Sequence, residues 1–192
     1  MLTTIIAYVL LGLFVAVIER RARVGPEAKD LDKSSSDRGT TKLVGIAFFL
    51  TGLALLAAPA LNYLQIGTLT LSPFVGWIGI VIAVSGIALR LWANKTLGAF
   101  YTRTLRVAAT QHIVREGPYR LLRHPGYLGS ILMWVGAALA TTNWIAAFVA
   151  VVVMFIAYHF RIVSEEIMLL TAMGKEYREY QAHTWKLIPL IY

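Results

Sequence analysis

Residues 43–89 have the sequence LVGIAFFLTGLALLAAPALNYLQIGTLTLSPFVGWIGIVIAVSGIAL, a run of 47 residues without a charged side chain. An α-helix needs about 20 apolar residues to cross a bilayer, so this stretch is long enough for two membrane helices. The segment from Asn62 to Pro73 has the polar, Gly- and Pro-containing composition of a turn between them. The stretch therefore predicts a helical hairpin in a membrane.

Two further stretches lack Asp, Glu, Lys and Arg. Met1 to Ile18 opens the chain, and an Arg cluster follows it instead of preceding it, so it is typical of a retained membrane helix and not of a cleaved signal peptide. Pro125 to Phe160 has 36 residues, enough for two shorter helices with a turn at residues 141–143. One long bent helix with a re-entrant piece is the alternative. The sequence predicts an all-α integral membrane protein with five transmembrane helices.

The basic residues indicate which side of the membrane each connection occupies. The chain of 192 residues is 58% hydrophobic and 15% charged, with a net charge of +8. Seven of its 18 Lys and Arg residues lie in 19–42, seven in 90–123 and four from Arg161 onward. Five spans put all of them on one face, which the positive-inside rule makes cytoplasmic. This predicts an outside N-terminus and a cytoplasmic C-terminus, and it removes the need for a nucleic-acid partner.

We interpret the chain as a single membrane domain, 1–192, in two parts. Residues 1–93 hold three spans and a polar, mixed-charge connector at 19–42. Residues 94–192 hold a two-helix hairpin at 125–160 and two cytoplasmic segments rich in aromatic, His, Arg and Glu residues. Any chemistry belongs in those two segments. The absence of Cys excludes disulfides and a Cys nucleophile.

The first candidate site precedes the fourth predicted helix, in the sequence QHIVREGPYRLLRHPGY at residues 111–127. Pro125 suits the first turn of a helix, which makes His124 the N-cap residue beside unsatisfied N–H groups. Such a place favours a carboxylate or phosphate. The alternative is a loop whose Arg residues meet lipid phosphates and whose Tyr residues lie at the interface.

The second candidate site follows the fifth predicted helix. Arg161 and Glu165 are four residues apart and share a helical face, while Glu166 points elsewhere and is expected in solvent. Arg161 offers a planar fork that suits a carboxylate. A simple salt bridge between Arg161 and Glu165 is the alternative. No P-loop, G-x-G-x-x-G after a strand or H-E-x-x-H motif is present, so neither a Rossmann domain nor a metal site is expected.

Taken in order, Gly117-Pro118-Tyr119-Arg120, Arg123-His124-Pro125-Gly126-Tyr127, Arg161 with Glu165-Glu166, and Gly174-Lys175-Glu176-Tyr177 resemble the isoprenylcysteine carboxyl methyltransferase family. The resemblance covers about residues 97–189. It implies an integral membrane enzyme that transfers a methyl group from S-adenosylmethionine to the carboxylate of a prenylated cysteine and releases S-adenosylhomocysteine. The implied acceptor is a lipidated small molecule or a lipidated protein C-terminus.

The resemblance also implies roles for individual residues. Arg161 matches the Arg that binds the substrate carboxylate, and Glu165 matches a Glu that contacts the cofactor, so these two are the candidate catalytic residues. The candidate cofactor-binding residues are Gln111, His112, Ile113, Val114, Tyr119, His124, Pro125, Gly126, Tyr127 and Glu165. The family's acidic run is reduced here to Ser164-Glu165-Glu166, and the N-terminal half is shorter than in eukaryotic members.

Three other functions fit parts of the pattern. A lipid-amine or phospholipid N-methyltransferase would need a base, for which Glu165 or His124 is available. A sterol-type membrane reductase is disfavoured by the short chain and by the Arg161 to Glu165 spacing. The last is a lipid-binding membrane protein without activity.

Overall fold

A computed structural model describes residues 1–21, 39–70, 74–98 and 113–189. Six α-helices are present in these ranges: α1 Leu2–Arg21, α2 Thr40–Tyr63, α3 Phe74–Leu97, α4 Pro125–Ala140, α5 Trp144–Met173 and α6 Lys175–Ala182. A 3₁₀ helix, Gly117–Arg120, precedes α4. The described residues form no strand, only two isolated β-bridges. Most of the connector predicted at 19–42 lies outside the described residues.

Three of the described helices are long and apolar enough to cross a membrane, namely α2, α3 and α5. Two shorter apolar segments accompany them, Leu2–Val15 of α1 and Pro125–Ala140. The membrane-helix character that the sequence predicts is therefore confirmed for three helices. Five spans and the side on which each terminus lies remain a prediction.

Helices α3 and α4 form the closest helix pair of the bundle because small residues line both surfaces. A Cβ atom added to Gly79 would lie 2.4 Å from the backbone nitrogen of Ala140, and one added to Gly136 would lie 2.4 Å from that of Ala83. Gly86 of α3 and Gly129 of α4 make the same close approach at a second level along the two helices. Small residues at such spacing allow two membrane helices to bring their backbones together.

Helix α5 packs against α2 and α4 and closes the core. Met133 of α4 and Met154 of α5 are fully buried, and Phe48 of α2 stacks on Trp134 of α4 at 5.3 Å between ring centroids. The turn predicted at residues 141–143 separates α4 from α5. Asn143 is the N-cap of α5, and its side-chain oxygen accepts hydrogen bonds from the N–H groups of Ile145 and Ala146.

The fifth helix extends beyond its charge-free part. The sequence places the end of the hairpin at Phe160, but α5 continues to Met173 and is 30 residues long. Gly174, which follows the last residue of α5, has φ of 54°. The charged residues after Phe160 do not end the helix because other elements supply polar partners. Hydroxyl groups of α2 and α4 contact Arg161, and the chain before α4 and the C-terminal segment contact Glu165 and Glu166.

Candidate active site

The chain immediately before α4 is held in place by the C-terminal segment. The N–H groups of Arg123 and His124 donate to the carbonyls of Trp185 (2.8 Å) and Lys186 (3.2 Å). The N–H of Trp185 donates in return to the carbonyl of Leu121, at 2.8 Å. This short parallel pairing fixes the backbone at the entrance of α4, and with it the position of His124.

The side chain of Arg123 joins three elements. Its Nε donates to Oε1 of Glu166 on α5 at 2.7 Å, and its Nη1 donates to the carbonyls of Gln181 (3.1 Å) and Thr184. Lys186 lies 3.5 Å from the second oxygen of Glu166. The charge of Arg123 is thus largely compensated, which is typical of a structural ion pair.

His124 lies between two carboxylates. The residue is 5% exposed; its Nδ1 is 3.5 Å from Oε2 of Glu165 and its Nε2 is 3.4 Å from Oε1 of Glu166. Its ring is parallel to that of Tyr127, with 5.4 Å between centroids. Burial lowers the pKa of His124, but hydrogen bonds and the charges of Glu165 and Glu166 outweigh burial and raise the pKa above its usual value.

Arg161 is buried one turn before Glu165 and is oriented by hydroxyl groups. Its Nε donates to the hydroxyl of Tyr127 at 3.3 Å, and its Nη1 donates to Oγ1 of Thr40 at 3.1 Å and of Thr41 at 2.7 Å. Tyr127 also contacts Tyr158, with 5.0 Å between ring centroids. The guanidinium plane is therefore fixed from α4 on one side and from α2 on the other.

The two adjacent glutamates of α5 have different surroundings. Oε2 of Glu165 is buried and, within the described part of the chain, has no hydrogen-bond partner beyond its ion-pair distance to His124. Glu166 is 8% exposed and contacts Arg123, His124 and Lys186. The expectation that Glu166 is solvated is wrong, since the loop before α4 covers the helix face to which it points.

Two tyrosines of α6 complete the cluster. The hydroxyl of Tyr180 donates to the carbonyl of Tyr119 at 2.8 Å, and burial raises the pKa of Tyr180 to about 12 although Arg123 and Arg115 oppose the change. Tyr177 is 2% exposed, and no hydrogen-bond partner of its hydroxyl is found among the described residues. Burial, followed by the charges of Glu166 and Glu165, raises the pKa of Tyr177 further.

The structure brings together His124, Tyr127, Arg161 and Glu165, which the sequence predicts as site residues. Pro125 and Gly126 form the first turn of α4, where the carbonyl of Gly126 accepts from Nη1 of Arg90 at 3.0 Å. The remaining candidates are less informative. Tyr119 is buried in the 3₁₀ helix, Ile113 and Val114 are half-buried before it, and Gln111 and His112 lie outside the described residues.

Several polar residues at this site were not singled out from the sequence. Thr40 and Thr41 belong to a distant helix, so no local pattern connects them with Arg161. Glu166 and Tyr177 occur in quoted motifs, but helical spacing alone put Glu166 on a solvent face. Glu166 receives its partners from the chain before α4 and from Lys186 of the C-terminal segment, which only the packed structure brings to α5.

Residues 74–176 match the phospholipid methyltransferase family. This match spans α3, the 3₁₀ helix, α4 and α5, and so includes most of the charged cluster. The chain belongs to this family, and its sequence relatives confirm the resemblance to isoprenylcysteine methyltransferases.

Similar proteins include a probable protein-S-isoprenylcysteine O-methyltransferase of Oryza sativa subsp. indica, 32% identical over 120 residues, which are 62% of this chain and 63% of that protein. The protein-S-isoprenylcysteine O-methyltransferase B of Arabidopsis thaliana is 31% identical over 120 residues, covering 60% of this chain and 61% of the relative. The Mus musculus enzyme is 28% identical over 59% of this chain and 41% of its own length. The chain thus spans about three fifths of the plant relatives' length.

The fold is similar to a solved structure of a eukaryotic intramembrane Ras methyltransferase, an isoprenylcysteine carboxyl methyltransferase. The TM-score is 0.60 at 24% sequence identity, over 79% of this chain and 52% of that one. This similarity supports the helical arrangement described above.

Proposed function

We propose that this protein transfers a methyl group from S-adenosylmethionine to the carboxylate of an isoprenylated cysteine or a similar lipidic thioether acid, giving a methyl ester. The observation that carries the proposal is the buried guanidinium of Arg161 at 5% exposure, fixed by three hydroxyl groups beside the pair of His124 and Glu165. A planar cation at the end of apolar helices suits an acceptor that has a carboxylate head and a lipid tail.

The residues of the cluster fit S-adenosylmethionine. The cofactor carries an ammonium group and ribose hydroxyls, which are hydrogen-bond donors, and Oε2 of Glu165 is a buried acceptor 3.5 Å from Nδ1 of His124. The hydroxyl of Tyr177 adds a second such buried polar group. We propose that Glu165, His124 and Tyr127 hold the cofactor, together with Tyr119 and the segment 111–114 and with Pro125 and Gly126 at the start of α4.

The main task of the protein in this reaction is to position the two reactants. When bound, the cofactor would supply a methyl group on a positively charged sulfur. Arg161 would hold the acceptor carboxylate, which is already a nucleophile, so no residue need remove a proton. Transfer would join that methyl carbon to an oxygen of the carboxylate that Arg161 holds, and the electron pair of the former sulfur–carbon bond would remain on the sulfur of the product. Correct orientation of two reactants can supply much of the rate enhancement of such a displacement.

We propose five membrane spans, with the N-terminus outside and the site on the cytoplasmic side. The chain has no Cys, so a single Cys introduced at Leu64, which is 62% exposed at the end of α2, or at Lys175 gives an unambiguous label. A membrane-impermeant thiol reagent added to intact cells should label Leu64→Cys but not Lys175→Cys. Labelling of both variants from outside would contradict this topology.

The activity is tested with detergent-purified protein, methyl-labelled S-adenosylmethionine and a farnesylated cysteine analogue. We expect label in the lipid fraction that is released as methanol by mild base, as an ester requires. A variant with Arg161→Gln is the control for non-enzymatic transfer. The absence of base-labile label with the active-site residues intact would contradict the proposal.

A phospholipid or lipid-amine N-methyltransferase is the second candidate, and one observation favours it. The buried Oε2 of Glu165, 3.5 Å from Nδ1 of His124, is an acceptor able to take the proton that an amine loses on methylation. The same experiment separates the two candidates when phosphatidylethanolamine replaces the farnesylated analogue. Label on an amine stays bound under mild base.

A further inference from the structure

We propose that Thr40 and Thr41, at the start of α2, are positioning residues of the acceptor site that act through Arg161. This inference rests on the proposed function, since it takes Arg161 as the group that binds the acceptor carboxylate. Both threonines lie outside residues 74–176, the part of the chain that matches the family. They join the site from α2, which precedes the residues that the family model matches.

The geometry of the contacts carries the proposal. Nη1 of Arg161 lies 2.7 Å from Oγ1 of Thr41 and 3.1 Å from Oγ1 of Thr40, while Nε lies 3.3 Å from the hydroxyl of Tyr127. A guanidinium is planar, and hydrogen bonds to two of its nitrogens from opposite helices fix both its position and the orientation of its plane. Two-point binding of a carboxylate depends on that orientation.

The chemistry of the partners matters as much as their position. Arg123 is held by the carboxylate of Glu166 at 2.7 Å, which compensates its charge. The hydroxyl groups of Thr40, Thr41 and Tyr127 hold Arg161 without adding a negative charge of their own. These hydroxyl groups orient the cation, whereas a further carboxylate in place of the threonines would repel an anionic acceptor.

The backbone of α2 fixes the positions of the two threonines that contact Arg161. Thr40 is buried at 5% exposure, and the helix begins directly after Gly39, which has φ of 77°. Two consecutive residues reach the same nitrogen because they form the first turn of the helix. The start of α2 is therefore fixed against α5 by these two hydrogen bonds and by the packing of the two helices.

The test uses Thr41→Val, which keeps the shape of the side chain and removes the hydroxyl, together with Thr41→Ser, which restores it, and the double variant Thr40→Val/Thr41→Val. The chain offers a matched control, Thr51→Val. Thr51 is buried in the same helix at 0% exposure, and its hydroxyl has no hydrogen-bond partner among the described residues. Two quantities are measured: equilibrium binding of the farnesylated cysteine analogue in the presence of S-adenosylhomocysteine, and binding of S-adenosylhomocysteine alone.

We expect Thr41→Val to weaken binding of the analogue about 5- to 20-fold and the double variant to weaken it more, because a hydrogen bond to a charged group is lost. Affinity for S-adenosylhomocysteine should change less than about twofold, Thr41→Ser should recover most of the loss, and Thr51→Val should bind as the parent does. Parental binding by the double variant, or an equal loss in Thr51→Val, would overturn the proposal. An analogue that binds but is not methylated would count against the proposed reaction alone; an analogue that the parent does not bind would overturn both.

Discussion

The two ends of the helical bundle are held together by different chemistry. At one end, which we call the turn end, the loop from Asn62 to Thr68 meets the turn at residues 141–143. Nδ2 of Asn143 donates to Oδ1 of Asn62 at 2.8 Å and to the carbonyl of Ile66 at 2.9 Å, and Nδ2 of Asn62 donates to the carbonyl of Thr141 at 2.8 Å. These groups are neutral and satisfy one another.

At the other end, which we call the cluster end, buried charges replace neutral amides. Charged side chains contact one another here where a protein core usually has apolar ones, namely Arg123, His124, Arg161, Glu165 and Glu166. Burying ionised groups is costly, and apolar residues of similar size often give equal or greater stability. The turn end therefore has the chemistry of a structural contact, whereas the cluster end has that of a ligand site.

Substitution at Asn143 should have the largest effect on stability. Its side chain makes four hydrogen bonds at 0% exposure, so Asn143→Ala should lower the free energy of unfolding by about 2–4 kcal/mol, through the lost cap and the partners left unpaired. Thermal melts in detergent measure the change, and Asn143→Asp, which keeps the cap but turns a buried carboxylate oxygen toward the carbonyl of Ile66, should not recover the loss. A ligand-induced shift that disappears with Asn143→Ala would break the proposed separation of the two ends.

Arg161→Lys should show the opposite behaviour. The variant keeps the charge and loses the fork, so methyl-transfer efficiency should fall by roughly 10- to 150-fold, equivalent to about 1.5–3 kcal/mol. Melting temperature and S-adenosylhomocysteine affinity should change little. The exposed Arg178→Lys serves as the control, and near-parental transfer by a folded Arg161→Lys protein would remove Arg161 from the catalytic residues.

His124→Ala should remove most of the stabilisation that bound S-adenosylhomocysteine gives to the folded protein. S-adenosylhomocysteine that binds only the folded protein raises the melting temperature, and a tenfold loss of affinity removes about 1.4 kcal/mol of that stabilisation. We expect the variant to lose most of the ligand-induced rise, while the exposed His183→Ala keeps it. An unchanged rise in His124→Ala would show that the residues around His124 do not bind the cofactor.

The smallest expected effect is a pH dependence at the cluster end. Because the pKa of folded His124 is above its usual value of 6.5, its charge stabilises the fold fully below that value. This stabilisation is lost as the pH rises through the raised pKa. Melting temperatures of ligand-free parent should therefore fall more steeply above about pH 6.5 than those of His124→Gln. Parallel curves for the two proteins would contradict this assignment.

Most of the fold could be predicted from the sequence, whereas the site could be predicted only in part. Charge-free stretches located the apolar helices, and the sequence Thr-Thr-Asn predicted the turn at residues 141–143. The end of α5 was not predicted correctly, because charged residues after Phe160 are typical of a membrane boundary when their partners are unknown. Arg123 supplies one of those partners from 43 positions earlier in the chain.

The adjacent residues Glu165 and Glu166 illustrate the same limit. Their helical spacing fixes them on different faces, and the sequence assigns one face to the site and the other to solvent. In the structure the loop before α4 and the segment around Trp185 cover the second face, so both carboxylates reach His124. The spacing of residues along a helix determines the direction in which each side chain points. It does not determine which other parts of the chain lie there.

Hydropathy and motif order are local properties, so they were enough to predict apolar helices. They also grouped His124, Tyr127, Arg161 and Glu165 in one recognisable pattern. The tertiary structure decided which polar groups meet. It brought Thr40 and Thr41 to Arg161 across 120 positions of sequence and gave Glu166 its cationic partners. The physical reason is that the orientation of a buried charge is set by contacts from other helices, and those contacts exist only after the helices pack.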